Sequence, residues 1–202
     1  MPGGWAAAVT RGNLFIISAP SGAGKTTLAR GLNEALPNTA FSISHTTRPR
    51  RRNEVHGVDY YFVTEPEFRE MMDRDEFLEY AQVFGNLYGT SKAAVGKLMA
   101  QGKTVLLDID WQGARKVRSR MPGCGSIFIL PPSMAELENR LRSRGLDSEE
   151  VIQQRMEQAR DEMRHADEYD FEVVNDDFDR ALRKLCAIVS GEQAAATSCQ
   201  NE

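Results

Sequence analysis

A chain of 202 residues is long enough for one compact domain with inserted subdomains and a full core. Its 41% hydrophobic and 27% charged residues are those of an ordinary globular protein, and the net charge of −4 argues against general affinity for nucleic acid or an anionic membrane, which favour basic surfaces. Three cysteines (Cys124, Cys186 and Cys199), widely spaced and without a CxxC pair, exclude a disulfide framework and a zinc site and suit a reducing compartment.

The short apolar stretch from Trp5 to Val9 has no charged segment before it, so neither a signal peptide nor a membrane span is read, and the cytoplasm is expected. Residues 14–18 (Leu-Phe-Ile-Ile-Ser) form a β-rich apolar run expected to be a strand buried on both faces. A helix is expected over Thr26 to Leu36, with Leu28, Leu32 and Leu36 on one face and Pro37 ending it. His45 to Thr90 reads as an inserted, partly β subdomain, with alternation over Val58 to Val63 and a small core of Phe68, Met71, Met72 and Phe77. Further strands are expected at Thr104 to Ile109, Ser126 to Leu130 and Phe171 to Val174. Charged helices fit Ala135 to Arg144 and Glu149 to Arg164, and Phe178, Leu182, Leu185 and Val189 mark the apolar face of a closing helix over Asp177 to Val189. Strands alternating with helices imply an α/β fold, a parallel sheet with helices on both faces. Glu192 to Glu202 reads as a frayed polar tail. The exposed helix faces are charged and carry no apolar stripe, so the sequence sets no oligomeric state.

Ala19-Pro20-Ser21-Gly22-Ala23-Gly24-Lys25-Thr26 follows the first strand and opens the first helix, as the phosphate-cradling pattern Gly-x4-Gly-Lys-[Ser/Thr] requires. Ala19 replaces the first glycine and is expected in a backbone region open to L-residues. Gly22 and Gly24 let backbone N–H groups turn toward phosphate oxygens. Lys25 supplies charge at the β/γ-phosphates, and the Thr26 hydroxyl is a Mg²⁺ ligand. This implies an enzyme that uses a nucleoside triphosphate and leaves the phosphoryl acceptor open.

Arg48-Pro49-Arg50-Arg51-Arg52 offers planar forks that grip phosphate bidentately; such a run also suits a solvated basic patch or a nucleic-acid contact, which the overall acidity and the phosphate loop disfavour. A guanine base shows two donors, N1–H and the 2-amino group, beside the O6 acceptor, which a carboxylate with a hydroxyl complements. Glu79, Thr90 and Asp110 offer those groups, yet each also reads as a surface charge, a loop hydroxyl or a helix cap. Asp108, at a strand end, fits either a holder of a Mg²⁺-bound water or of an arginine, or a buried acid satisfied by the loop. His45, His56 and His165 have no metal-ligand spacing, and Trp111 reads as core packing.

The order and content of several stretches resemble the guanylate kinase family, in its bacterial form, from about Leu14 to Val189. They are Ser18 through Thr26, Ser44-His45-Thr46-Thr47-Arg48, Glu54-Val55-His56-Gly57-Val58-Asp59-Tyr60, Glu79 through Thr90, Leu107-Asp108-Ile109-Asp110-Trp111-Gln112-Gly113, Ile129-Leu130-Pro131-Pro132-Ser133 and Val174-Asn175-Asp176-Asp177. The resemblance implies a P-loop nucleoside monophosphate kinase fold with a GMP-binding insertion and a lid. Residues 1–44, 92–143 and 166–190 would form the core, 45–91 the GMP-binding subdomain, 144–165 the lid and 191–202 a flexible tail. It implies transfer of the γ-phosphoryl of MgATP to GMP, with ATP and GMP as partners and neither nucleic acid nor membrane. On this resemblance ATP is held by Ala19 through Thr26 with Thr27, Asn175 lies at adenine, and Arg144 and Arg155 are lid arginines over the ATP phosphates. The GMP phosphate meets Arg48 and Arg51 with Ser44, Tyr60 and Tyr88, and the guanine meets Glu79, Thr90 and Asp110.

One segment departs from the pattern: the family carries proline and glycine before Glu54-Val55, where this chain has Arg52-Asn53, and Pro49 sits one place early. A left-handed turn at Asn53 is tolerable, and counting back from Glu54 without a gap selects Arg51 among Arg50, Arg51 and Arg52. Two other readings share the same features: a catalytically inactive guanylate-kinase-like interaction module, which the retained Gly24-Lys25-Thr26 disfavours, and a kinase for another nucleoside monophosphate.

Overall fold

The computed structural model describes residues 14–83, 85–143, 145 and 148–191. The stretch from Trp5 to Val9, the tail 192–202 and the expected lid residue Arg144 lie outside the described residues. The chain forms two compact units, one built on residues 38–124 and the other on residues 15–37 and 125–191.

In the second unit, β1 (Leu14–Ser18), β8 (Gly125–Leu130) and β9 (Phe171–Val174) run parallel, β8 lying between the other two. Leu14, Ile16 and Ile17 are fully buried, which explains a continuous apolar run without alternation. Asp170 ties β9 to the start of β8: its Oδ2 accepts from the Ser126 N–H at 2.8 Å and the Ser126 hydroxyl at 2.7 Å. Helix α1 (Lys25–Ala35) buries Leu28, Ala29 and Leu32, while Leu36 only closes it through a bond to the Leu32 carbonyl. Helices α5 (Met134–Ser143) and α6 (Glu149–Met163) share a core of Leu137, Leu141, Ile152, Met156 and Ala159.

Helix α7 (Phe178–Ser190) begins at the Asp177 cap and buries Ala181, Leu185, Ile188 and Val189. Leu185 and Val189 of the expected apolar face are buried, with Ala181 and Ile188 added to it. Phe178 is 40% exposed, and it and Leu182 lie over Gly31 of α1, where the missing side chain admits them.

In the first unit, β2 (Thr39–Phe41) pairs in parallel with β7 (Thr104–Asp108). A separate sheet runs in the order β4 (Tyr61–Phe62), β3 (His45–Thr46), β6 (Asn86–Ser91), β5 (Phe77–Val83). The alternation over Val58 to Val63 therefore yields only a two-residue strand, with Val58 exposed in the turn before it. Strands β5 and β6 form an antiparallel hairpin that places Glu79 opposite Thr90, after an irregularity between Phe77 and Glu79. Helix α2 (Glu65–Asp73) opens with a reciprocal cap between Thr64 and Glu67, and its Phe68 stacks on Phe77 at 4.5 Å between ring centres. Met71 and Met72 are only half-buried.

Helices α3 (Lys92–Ala100) and α4 (Trp111–Arg120) are capped by Ser91 and Asp110. Trp111 is half-exposed rather than core, and the Arg115 guanidinium lies 4.8 Å from its ring centre, because the first residue of α4 faces out of the helix that Gly113, Ala114 and Val117 bury.

Candidate active site

The loop between β1 and α1 owes its shape to its backbone. Gly22 (φ +98°) and Gly24 (φ +90°) are left-handed, a conformation that costs an L-residue about 1–2 kcal/mol. Asp75 is the single non-glycine with positive φ among the described residues, so Ala19 is unstrained and its methyl is tolerated. The Ala23 N–H donates to the Pro20 carbonyl at 3.1 Å, and the buried Asn175 side chain donates from Nδ2 to the Ala23 carbonyl at 2.7 Å.

Helix α1 begins at Lys25 with Gly24 as its cap, with no side chain capping its first amides and no acid in its first turn. Those amides and the helix dipole therefore favour an anion, with Lys25 in the same turn. Thr26 and Thr27 are exposed there. Among the described residues no cluster of three His, Cys, Asp or Glu could hold a metal ion. The Thr26 hydroxyl is one hard oxygen donor, which fits a Mg²⁺ ion that takes most of its ligands from phosphate and water. Arg155 lies half-buried on α6.

The acceptor candidates meet in the first unit. Glu79, 4% exposed, accepts from the Thr90 hydroxyl at 2.6 Å. Its other carboxylate oxygen lies against the first turn of α4, where a Cβ on Gly113 would come within 2.7 Å of it. Asp110 caps that turn, its Oδ1 accepting from the Gly113 N–H at 2.8 Å, so Asp110 is both a helix cap and a neighbour of Glu79. Burial pushes the Glu79 carboxyl up to about 7, and the Asp110 charge adds to this against the Thr90 hydrogen bond and Lys116.

Arg48 lies at the other end of this sheet. Its Nη2 donates to Glu54 at 2.6 Å and its Nη1 to the Pro49 carbonyl at 2.9 Å. The guanidinium sits over the rings of Tyr60 (5.6 Å) and Phe62 (5.8 Å), and Tyr60 meets Tyr88 edge-on at 6.0 Å. Glu54 first, then Tyr88, hold the guanidinium above its ordinary value despite its partial burial. Burial pushes the Tyr60 hydroxyl up to about 12, with the charge of Asp108 and Tyr88 contributing, so Tyr60 remains a neutral donor. Ser44 is half-buried beside β3, its carbonyl accepting from the Tyr61 N–H at 2.9 Å.

Arg50, Arg51 and Arg52 are all exposed, and the Arg51 N–H donates to the second Glu54 oxygen at 2.8 Å. The turn over residues 51–54 is closed by Glu54 N–H to Arg51 carbonyl at 3.1 Å without a left-handed Asn53, because the Glu54 carboxylate supplies what proline and glycine would otherwise impose. Glu54 and Gly113 carried no expected role, although both stand inside the stretches that carry the resemblance. A carboxylate six residues after Arg48 was the available signal for the first, and a glycine in the first turn of a capped helix for the second.

The guanylate kinase family model matches residues 11–192. The chain is 56% identical over 187 residues to the guanylate kinase of Escherichia coli K12, covering 92% of this chain and 90% of that one. It is 55% identical over 185 residues to the guanylate kinase of Methylococcus capsulatus, covering 92% and 91%. A crystal structure of guanylate kinase from Anaplasma phagocytophilum superposes with a TM-score of 0.75 at 37% identity, over 91% of this chain and 87% of that one. Parallel strands with a phosphate loop at the start of α1, and a relatedness that spans nearly every element, give the P-loop nucleoside monophosphate kinase fold, and the chain belongs to the guanylate kinase family.

Proposed function

We propose that this protein is an ATP:GMP phosphotransferase, converting ATP and GMP, and dGMP as well, to ADP and the guanosine diphosphate in purine nucleotide metabolism of the cytoplasm. The observation that carries the reading is the buried Glu79 carboxylate bonded to Thr90 beside Asp110. A carboxylate accepts from guanine N1–H and the 2-amino group, and the Thr90 hydroxyl can turn to donate to O6. Adenine would set an acceptor against the carboxylate. None of the guanine candidates reads the sugar, hence the inclusion of dGMP.

The GMP phosphate ionises a second time near pH 6, so at neutral pH it presents its own nucleophilic oxygen and a strong general base is unnecessary. Catalysis then rests on positioning and charge neutralisation. Arg48, aimed by Glu54, and Arg51 bind the GMP phosphate with Ser44, Tyr60 and Tyr88. The loop amides, Lys25, Arg144 and Arg155 bind the ATP phosphates, Asn175 meets the adenine, and residues 144–165 close as a lid while 45–91 hold GMP. Thr26, with Asp108 as the candidate to hold a bound water, would hold Mg²⁺, which would supply charge neutralisation at the donor phosphates. Among the described residues no helix is long and apolar enough to cross a membrane.

The test is ADP release with GMP, dGMP, AMP, UMP and CMP as acceptors. Turnover is expected with GMP and dGMP. Faster turnover with AMP, or none with any acceptor, overturns the reading.

A further inference from the structure

Asn175 follows β9, and its own peptide is fixed on both sides. Its N–H donates to the Leu130 carbonyl of β8 at 2.8 Å, and Arg140 of α5 donates to its carbonyl at 3.1 Å. The side chain then reaches across 152 positions of sequence to the Ala23 carbonyl, at 2.7 Å and buried from water. Gly24 makes that approach possible, since a Cβ there would overlap Asn175 Nδ2. Gly24 is thus required twice, for its φ of +90° and for the space it leaves to the amide.

The peptide bond between Ala23 and Gly24 is planar and trans, as no cis bond occurs among the described residues. Its N–H therefore points opposite to its C=O. With the carbonyl drawn toward Asn175, the Gly24 N–H is turned to the other side of the loop, next to the first amides of α1. We propose that Asn175 is a positioning residue of the phosphate loop: it holds the Ala23–Gly24 peptide in the orientation that offers the Gly24 N–H to a phosphate oxygen. This rests on the reading of the loop as the ATP phosphate site. It is distinct from a contact with adenine, which would leave the loop itself untouched.

The two roles separate on a ligand that has phosphates and no base. Binding of Mg²⁺-tripolyphosphate, of MgATP and of GMP is to be measured by calorimetry on the wild-type protein and on Asn175→Ala and Asn175→Asp. Aspartate keeps the size and an acceptor but has no donor for the Ala23 carbonyl. Loss of one buried hydrogen bond should weaken tripolyphosphate about five- to tenfold in Asn175→Ala, and more in Asn175→Asp, whose negative charge also repels phosphate. GMP affinity should stay near wild type, a split that a general structural defect would not produce, while the melting temperature falls by about a few degrees with the lost buried bond. Unchanged tripolyphosphate affinity with weakened ATP overturns the inference and leaves Asn175 the adenine contact alone. A parallel fall in GMP affinity overturns it in favour of a general packing role. A wild-type protein that binds tripolyphosphate yet does not turn over GMP overturns the acceptor assignment alone, and the variants still decide the role of Asn175.

Discussion

In the phosphate loop, consecutive residues from Ala19 to Gly24 take their shape from two left-handed glycines and one internal hydrogen bond, and distant groups only brace the result. The base pocket is built in the opposite way. Glu79, Thr90, Gly113 and Asp110 come from β5, β6 and the start of α4, and they form a site only because a hairpin register and a helix cap bring them together. The loop binds with fixed backbone dipoles whose charge does not titrate. The proposed pocket would bind with a buried carboxylate whose charge state depends on pH. The first is stiff and unspecific for the base, and the second is specific and electrically costly.

Variants can set the two halves against each other. Lys25→Ala should lower kcat by about 10²–10³-fold, as removal of one charge-stabilising group does, with GMP affinity unchanged in the absence of ATP. A weakened GMP affinity in that variant would break the separation. Glu79→Gln should raise KM for GMP by roughly ten- to a hundredfold, the worth of hydrogen bonds to a charged acceptor of about 1.5–3 kcal/mol, and leave KM for ATP alone.

Arg51→Ala should raise KM for GMP about tenfold, in the range of one charge-assisted bond to phosphate, while Arg50→Ala changes it less than about twofold. The reverse ranking in steady-state kinetics would move the phosphate contact one residue along the turn that Glu54 closes. Gly113→Ala should raise KM for GMP several-fold, because its Cβ would stand 2.7 Å from the Glu79 carboxylate and force it to move. Unaltered GMP kinetics would mean that α4 yields instead.

A last effect concerns protons. In the empty pocket the Glu79 carboxyl sits at about 7 against an ordinary 4.5, so the folded state holds its proton longer than the unfolded one. Its contribution therefore favours folding fully below 4.5 and is lost as pH rises through about 7. Guanine selects the ionised carboxylate, so GMP binding should release a proton and KM for GMP should fall about tenfold between pH 6 and pH 8. The GMP phosphate also ionises near pH 6, so the reference is Glu79→Gln, which keeps the phosphate effect and should lose the rest. Identical pH profiles for the two proteins would put the carboxylate outside the pocket's binding chemistry.

Legibility in the sequence followed the same division. The strands over 14–18 and 171–174 and the helices α1, α5 and α6 stood out, since burial on both faces and 3.6-residue spacing are properties of consecutive residues. The hairpin of β5 and β6 and the helices α3 and α4 did not, because a buried glutamate, a glycine and a short mixed helix have no period of their own. Trp111 and Phe178 were placed too deep for a related reason: aromatic residues promise burial, but which face of a helix is covered depends on its neighbours.

The order of residues from Ala19 to Thr26 is enough to specify a phosphate cradle, since backbone dihedrals are decided over neighbours a few bonds apart. The residues that resemble the guanylate kinase family likewise name the members of the proposed pocket. Only the tertiary structure shows that Glu79 is buried and raised to about 7, that Glu54 aims Arg48, and that Asn175 holds the Ala23 carbonyl. Desolvation and hydrogen bonds across tens of residues depend on what lies nearby in space, which chain order alone does not state.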